Sequence, residues 1–306
     1  MSVSVVIPVK NGARFITEAV ESACVQAEVG LIVVVDDGST DGTVEVVRAM
    51  SDPRIVLIEN TRQGVSAARN SGLDEVVSRG CSHAAASWVV FLDADDRLHS
   101  GAVSELLAGV DDDCVAVYGD YDRIDENGAF IGRRRFIRGK RKPSGDVLGR
   151  LLAGNFLVNG GVMLIRIDIF RSIGGFDETL RHCEDWHAFC RLAATGRIVW
   201  RPNAHVLDYR VHRCGTMMDS SIDYRRYETA LERVFVDPLI CGRFDSRRLA
   251  RLRRRSEAHL RTYLACQTFR SGAYLRAIRQ ATRAIMALPS HAPKVVLRLV
   301  GTAAGI

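Results

Sequence analysis

The chain has 306 residues, 47% hydrophobic and 25% charged, a globular balance that allows one large domain with an appendage or two modest domains. Its net charge of +6 is unevenly placed: between Arg243 and Arg298, thirteen arginines and Lys294 face only Asp245 and Glu257, a net +12, which leaves −6 for the rest. No stretch approaches the ~18–20 apolar residues of a membrane-spanning helix. The opening MSVSVVIPVK lacks a basic leader and breaks at Pro8, so no signal peptide is expected. Eight cysteines without a C-x-x-C pair disfavour a zinc site or disulfide framework and fit reduced, cytoplasmic thiols.

Val3 to Pro8 is short, β-branched and stopped by proline, the pattern of a buried strand. A helix is expected from Ala13 to Cys24, with Ile16, Ala19, Val20 and Ala23 on one face. LIVVVDDGS reads as a second strand, TVEVVRAM as a short helix, RIVLIEN as a third strand, GVSAARNSGLDEVVSRG as a helix and SWVVFLDADD as a fourth strand. Strands that are apolar on both faces and alternate with helices predict an α/β fold with a mostly parallel sheet covered on both sides. Beyond residue 115 the sequence predicts a strand and a hairpin turning at Glu126–Gly128 within CVAVYGDYDRIDENGAFIGRRRF, a strand at GGVMLIRIDIF, a helix at EDWHAFCRLAATG and a late strand at HVLDYRVH. From Asp223 onward it reads as helices, two of them joined near Ser271–Gly272.

Ligands of such sheets bind beyond the carboxyl ends of the strands. Three polar clusters stand at those ends: Lys10–Asn11, Asp36–Asp37 and Asp93–Ala94–Asp95. Neither G-x-x-x-x-G-K-[ST] nor G-x-G-x-x-G occurs, so a P-loop and a dinucleotide fingerprint are excluded. Asp36–Asp37 fits either a turn leading into a helix cap at Thr40–Gly42 or carboxylates that accept hydrogen bonds from a nucleoside. Asp93 and Asp95 fit either a solvated acidic turn or a pair converging on a hard divalent cation, Mg²⁺ or Mn²⁺, that also takes diphosphate oxygens. Asp185 has the alternative of capping its helix.

Six stretches occur in the order of the family 2 glycosyltransferases: VSVVIPVKNGARFITEAVESACVQ, VVVDDGSTDGT, QGVSAARNSGL, WVVFLDADD, GGFDETLRHCEDWHAFCRLAATG and YRVH. The chain resembles that family over about residues 3–215, two thirds of its length. The resemblance implies the GT-A fold and inverting transfer of a sugar from a nucleoside diphosphate sugar. It implies that Asp36 and Asp37 hold the base and ribose, that Arg69 and Asn70 line the donor site, and that Pro8, Val9, Asn11, Asp93 and Ala94 also bind the nucleotide sugar. Asp95 and Asp93 would hold Mn²⁺ or Mg²⁺, with His212 as a further ligand that would tilt preference toward Mn²⁺. Asp185 would be the general base. Two departures stand out. Lys10 occupies a position where many members stack an aromatic ring on the base, and the Q-x-x-R-W pattern of processive synthases is missing near RIVWRP, which favours addition of one or a few sugars.

The expected organisation is a catalytic domain over 1–222 and a basic helical extension over 223–306. Arg247, Arg248, Arg251, Arg254 and Arg255 fall on one stripe at helical period. A peripheral contact of 243–298 with an anionic membrane, at the inner face of the plasma membrane, is the leading reading of this charge, ahead of plain solvated helix. Nucleic-acid binding ranks last because no reader motif accompanies the arginines. The acceptor is expected to be a glycan or a lipid-linked glycan. A nucleotidyltransferase and a non-catalytic nucleotide-sugar-binding protein are the alternatives.

Overall fold

β1 (Ser2–Val9), β2 (Val29–Asp36) and β4 (Ser87–Phe91) are buried almost throughout, because both of their faces are apolar. Between them run α1 (Ile16–Cys24), α2 (Thr43–Arg48), β3 (Ile55–Glu59) and α3 (Val65–Ser78). β1 lies between β2 and β4 and is parallel to both, with β3 parallel on the outer side of β2. Parallel strands end on the same edge, so the polar clusters that follow β1, β2 and β4 emerge together. Gly72 lets α3 press onto this sheet: a Cβ there would clash with Val6 and lie 3.0 Å from Val35 Cγ2.

The computed structural model describes residues 2–80, 87–133, 142–212 and 224–303. Cys81, Cys214, the end of the expected hairpin at 134–136 and the expected domain boundary at 222–223 lie outside them. After β5 (Arg97–Leu98) and α4 (Ala102–Leu107), the chain forms β6 (Cys114–Ile124), β7 (Phe130–Arg133), α5 (Leu148–Ala153), β8 (Met163–Arg166), α6 (Ile167–Ser172), α7 (Glu184–Thr195) and β9 (Arg197–Arg210). The sheet order is β3-β2-β1-β4-β8-β6-β9-β5, with β7 also paired to β6. β8 is antiparallel to β4 and β6, and β9 is parallel to β6. The hairpin turns at the expected place, with Gly128 N–H donating to Asp125 O at 3.1 Å. The late strand expected from His205 begins already at Arg197.

Two compact units are present, residues 1–147 with 157–211, and 148–156 with 212–306. The sheet belongs to the first. The second contains α5, α8 (Tyr224–Val236), α9 (Pro238–Cys241), α10 (Ser246–Arg270), α11 (Tyr274–Ala287) and α12 (Ala292–Ala303). α10 is capped by Asp245, which accepts from Arg248 N–H at 2.8 Å. α10 and α11 meet at Gly272, whose φ of 79° suits glycine. Leu252 is buried, whereas the five arginines of the stripe are exposed. Among the described residues, no helix is long and apolar enough to cross a membrane.

Candidate active site

The loops after β1 and β2 are tied together. Asn11, at φ 53°, donates its N–H to Ser39 Oγ at 2.8 Å and accepts from Thr40 N–H at 2.8 Å. Gly12 N–H donates to Thr43 Oγ1 at 2.9 Å and Ala13 N–H to Asp41 Oδ2 at 3.1 Å. The helix expected from Ala13 therefore starts only at Ile16, because the residues before it are bonded to the neighbouring loop. Pro8 and Val9 end β1 as buried strand residues. Asp36 ends β2 and accepts from Ser39 N–H with both oxygens at 3.2 Å. Asp37 accepts from Gly64 N–H at 3.0 Å, and Lys10 Nζ lies 3.9 Å from its other oxygen.

Beyond β4 the three acids enter three environments, which is how their mutual repulsion is contained. Asp93 accepts from Arg69 Nη2 at 2.7 Å and from Asn159 Nδ2 at 3.0 Å. Asp96 is buried and accepts from Asn159 Nδ2 at 2.7 Å and from Arg210 N–H at 2.8 Å. Burial, then the nearby Asp95 and Asp93, pushes the Asp96 carboxyl well above the usual range. The half-buried Asp95 has its backbone carbonyl fixed by Arg210 Nε at 2.7 Å. Ala94 packs beside the β1 loop: a Cβ on Gly12 would lie 3.8 Å from Ala94 Cβ.

α7 brings the remaining acids. Its N-cap is Cys183, at φ 57°. Glu184 accepts from Arg69 Nη1 at 2.9 Å. Asp185 accepts from Trp186 N–H at 2.6 Å. Burial, then Glu184, pushes the Asp185 carboxyl up to about 7, against the lowering effect of Arg69. Burial alone would lower the Arg69 guanidinium, but Asp93 and Glu184 hold it above its ordinary value. One buried arginine on α3 thus joins the end of β4 to the start of α7. Asn70, the next residue, turns to the loop before α7: it donates to Phe176 O and accepts from Phe176 N–H, at 2.9 and 3.0 Å. His212 follows β9 and belongs to the second unit.

Three residues outside the sequence-based set shape the site. Asn159 bridges Asp93 and Asp96, and its own Oδ1 accepts from Gly161 N–H. Glu184 shares Arg69. Arg210, with a fully buried side chain, fixes the acidic turn and donates to Glu18 at 2.7 Å. Arg210 lies in the YRVH stretch, where the family resemblance marks only the histidine. Among the described residues, His99, Asp122 and Asp208 have metal-like spacing, their ligand atoms lying within 4.8 Å of one another. Asp208 is engaged by Arg97 at 2.6 Å and His99 at 2.7 Å, and His205 stands 3.3 Å from Asp122.

A family model described as Glycosyl transferase family 2 matches residues 4–174. An uncharacterized glycosyltransferase of Rickettsia typhi is 27% identical over 235 residues, which cover 74% of this chain and 69% of the relative. The succinoglycan biosynthesis protein ExoA of Rhizobium meliloti is 28% identical over 64% of this chain and 59% of its own length. Among solved structures, residues 1–349 of S. aureus TarS in complex with UDP-GlcNAc superpose with a TM-score of 0.66 at 19% identity, covering 99% of this chain and 88% of that one. The mannosyltransferase PcManGT of Pyrobaculum calidifontis, in complex with GDP-Man and Mn²⁺, gives 0.58 at 20% identity, covering 99% and 86%.

Proposed function

The chain belongs to glycosyl transferase family 2 and has the GT-A glycosyltransferase fold, and from that premise we propose that it moves one sugar, with inversion, from a nucleoside diphosphate sugar to an acceptor hydroxyl. The observation that carries this reading is the double grip of Arg69, which links the donor-side Asp93 to the acids that open α7.

Asp185 is the proposed general base. With its carboxyl at about 7, it takes the acceptor proton from neutral pH upward. The acceptor oxygen bonds to the anomeric carbon as that carbon's bond to the diphosphate oxygen breaks, and the nucleoside diphosphate departs with the electron pair. Pro8, Val9, Asn11, Asp36 and Asp37 surround base and ribose. Lys10, held near Asp37, contributes a cation to that subsite. Arg69, Asn70, Asp93 and Ala94 line the sugar and diphosphate.

The donor set suits a hard cation, because the acidic turn offers carboxylate oxygens. Asp95, the second acid of the D-x-D turn, is the proposed direct ligand. Asp93 would add a second carboxylate to the protein's share. Such a cation would neutralise charge on the departing diphosphate.

The similarity to a succinoglycan biosynthesis protein supports a role in cell-surface polysaccharide or glycolipid synthesis, with a glycan or lipid-linked acceptor. The +12 segment from 243 to 298 supports a cytoplasmic enzyme peripheral to the inner face of the membrane. The test is release of free nucleoside diphosphate from a panel of UDP and GDP sugars, with soluble and lipid-linked glycans as acceptors. Acceptor-dependent release from one donor is expected. Release unchanged by Asp185→Asn would overturn the assignment of the base.

A further inference from the structure

We propose that α11 and α12 insert an apolar face into the headgroup region of an anionic phospholipid bilayer. This rests on the reading of 243–298 as a membrane contact and deepens it, because the charge of α10 alone would only hold the protein near a surface.

The two helices bury alanines and Val295, with Ile285 and Leu299 packed against them, and expose several other large apolar side chains. α11 turns Ala277, Ala281 and Ala284 inward, while Leu275 is 85% exposed, Met286 75%, and Ile278 is exposed as well. α12 buries Val295 among Ala265, Ala281 and Ala284 and leaves Val296, Leu297 and Val300 exposed, Leu297 at 69%. Surface helices of soluble proteins usually turn their large apolar side chains to the core. Large apolar side chains are thus left exposed on both helices, and an exposed apolar face of this kind calls for a partner.

Charge identifies that partner. Residues 258–306 contain no aspartate or glutamate, against Arg261, Arg270, Arg276, Arg279, Arg283, Lys294 and Arg298. On α11, Leu275, Ile278, Thr282 and Met286 recur at helical spacing. Arg276, Arg279 and Arg283 repeat the same spacing one residue later, so the two stripes lie side by side, about 100° apart on the helix. An apolar stripe beside a cationic one is the arrangement of a helix lying in a membrane interface, with its arginines at the level of lipid phosphates. A second copy of this chain would instead bring like charges together with no acid on these helices to offset them.

The test is co-sedimentation of the full chain with vesicles of phosphatidylcholine, alone or mixed with phosphatidylglycerol, at low and at ~1 M salt, where exposed charges are screened beyond roughly 3 Å. The variants are Leu275→Ser/Ile278→Ser/Met286→Ser and Arg276→Gln/Arg279→Gln/Arg283→Gln. All six positions are exposed, and circular dichroism checks that the fold is kept. The wild type is expected to bind anionic vesicles and to keep a bound fraction in high salt. The serine variant is expected to lose that salt-resistant fraction by about tenfold or more, and the glutamine variant to lose binding chiefly at low salt. Wild-type behaviour of the serine variant at both salts would overturn insertion while leaving an electrostatic contact standing. Failure of the wild type to bind any vesicle would overturn both. A dimer in sedimentation velocity that the serine variant dissolves, without vesicle binding, would assign the face to a second copy and overturn the proposal.

Discussion

Arg69 on α3 donates to Asp93 beyond β4 at 2.7 Å, with only 7% of the arginine side chain exposed. The same guanidinium holds Glu184 at the start of α7, so three elements far apart in sequence share one buried charge. Removing it leaves two carboxylates facing each other and Asp185 without a cation. Arg69→Met should therefore destabilise the protein by about 3–5 kcal/mol, toward the lower figure because both acids keep some solvent. Arg69→Lys should recover part of the loss, since it restores a charge but not the fork. Urea unfolding of the two variants is the check, with the midpoint falling in the order wild type, Lys, Met.

The Asp185 carboxyl at about 7 makes the pH profile informative. A base must be deprotonated to work, so turnover should rise with pH and level off above about 7. Asp185→Asn keeps the hydrogen bond to Trp186 N–H but cannot take a proton. It should lower kcat by about 10²–10⁴-fold with donor affinity nearly unchanged. Because Arg69 lowers this carboxyl, Arg69→Lys should shift the rising limb only slightly, and Arg69→Met should move it upward. The measurement is kcat against pH for the wild type and the three variants.

The parallel strands and the three polar loops were legible because β1, β2 and β4 are continuous apolar runs that end abruptly in polar residues, Lys10–Asn11 after β1 and acids after β2 and β4. The start of α1 was not. Its apolar period extends back to Ala13, and nothing in that period shows that Ser39, Asp41 and Thr43 take the preceding N–H groups. Asp93, Asp95 and Asp185 stand out as candidates from their places at strand and helix ends and from the family resemblance. The roles of Asn159 and Arg210 were not, because both act through long-range bonds to Asp96, which itself looked like one more member of an acidic run. Arg210 reaches across 114 residues to that carboxylate.

Asp96 supports a separate prediction about the turn. Its two oxygens accept from two different N–H donors, Asn159 Nδ2 and the Arg210 backbone. Asparagine has one acceptor oxygen, so Asp96→Asn must face one of those donors with its own amide. A loss of about 1–3 kcal/mol is expected, the cost of leaving a buried donor unsatisfied. Asp95→Asn, on the half-buried neighbour, should cost much less. Thermal unfolding of the two single variants distinguishes the positions.

The His99–Asp208 bond at 2.7 Å should make stability depend on pH. The hydrogen bond to Asp208 raises the histidine above its ordinary 6.5. Burial pushes Asp208 up, but hydrogen bonds from His99 and Arg97 outweigh it and hold the carboxyl below 3.8. The histidine's contribution is therefore full below 6.5 and is lost as pH rises through its folded value. The aspartate's is full above 3.8 and is lost as pH falls through its folded value. The stability difference between wild type and His99→Gln should be largest near pH 5–6 and shrink by about pH 9. Urea titrations at these pH values measure it.

If a divalent cation held by Asp95 joins the acidic turn after β4 to the donor's diphosphate, donor binding must depend on that cation. Calorimetric titration of nucleotide sugars, with Mn²⁺ and with excess chelator, tests it without any acceptor. One donor is expected to bind at least about tenfold more tightly with Mn²⁺, a gain of roughly 1.4 kcal/mol that one bridging cation readily supplies. Asp95→Ala is expected to abolish this metal effect while melting like the wild type. Equal donor affinity with metal and with chelator, or a metal effect that survives in Asp95→Ala, would contradict it.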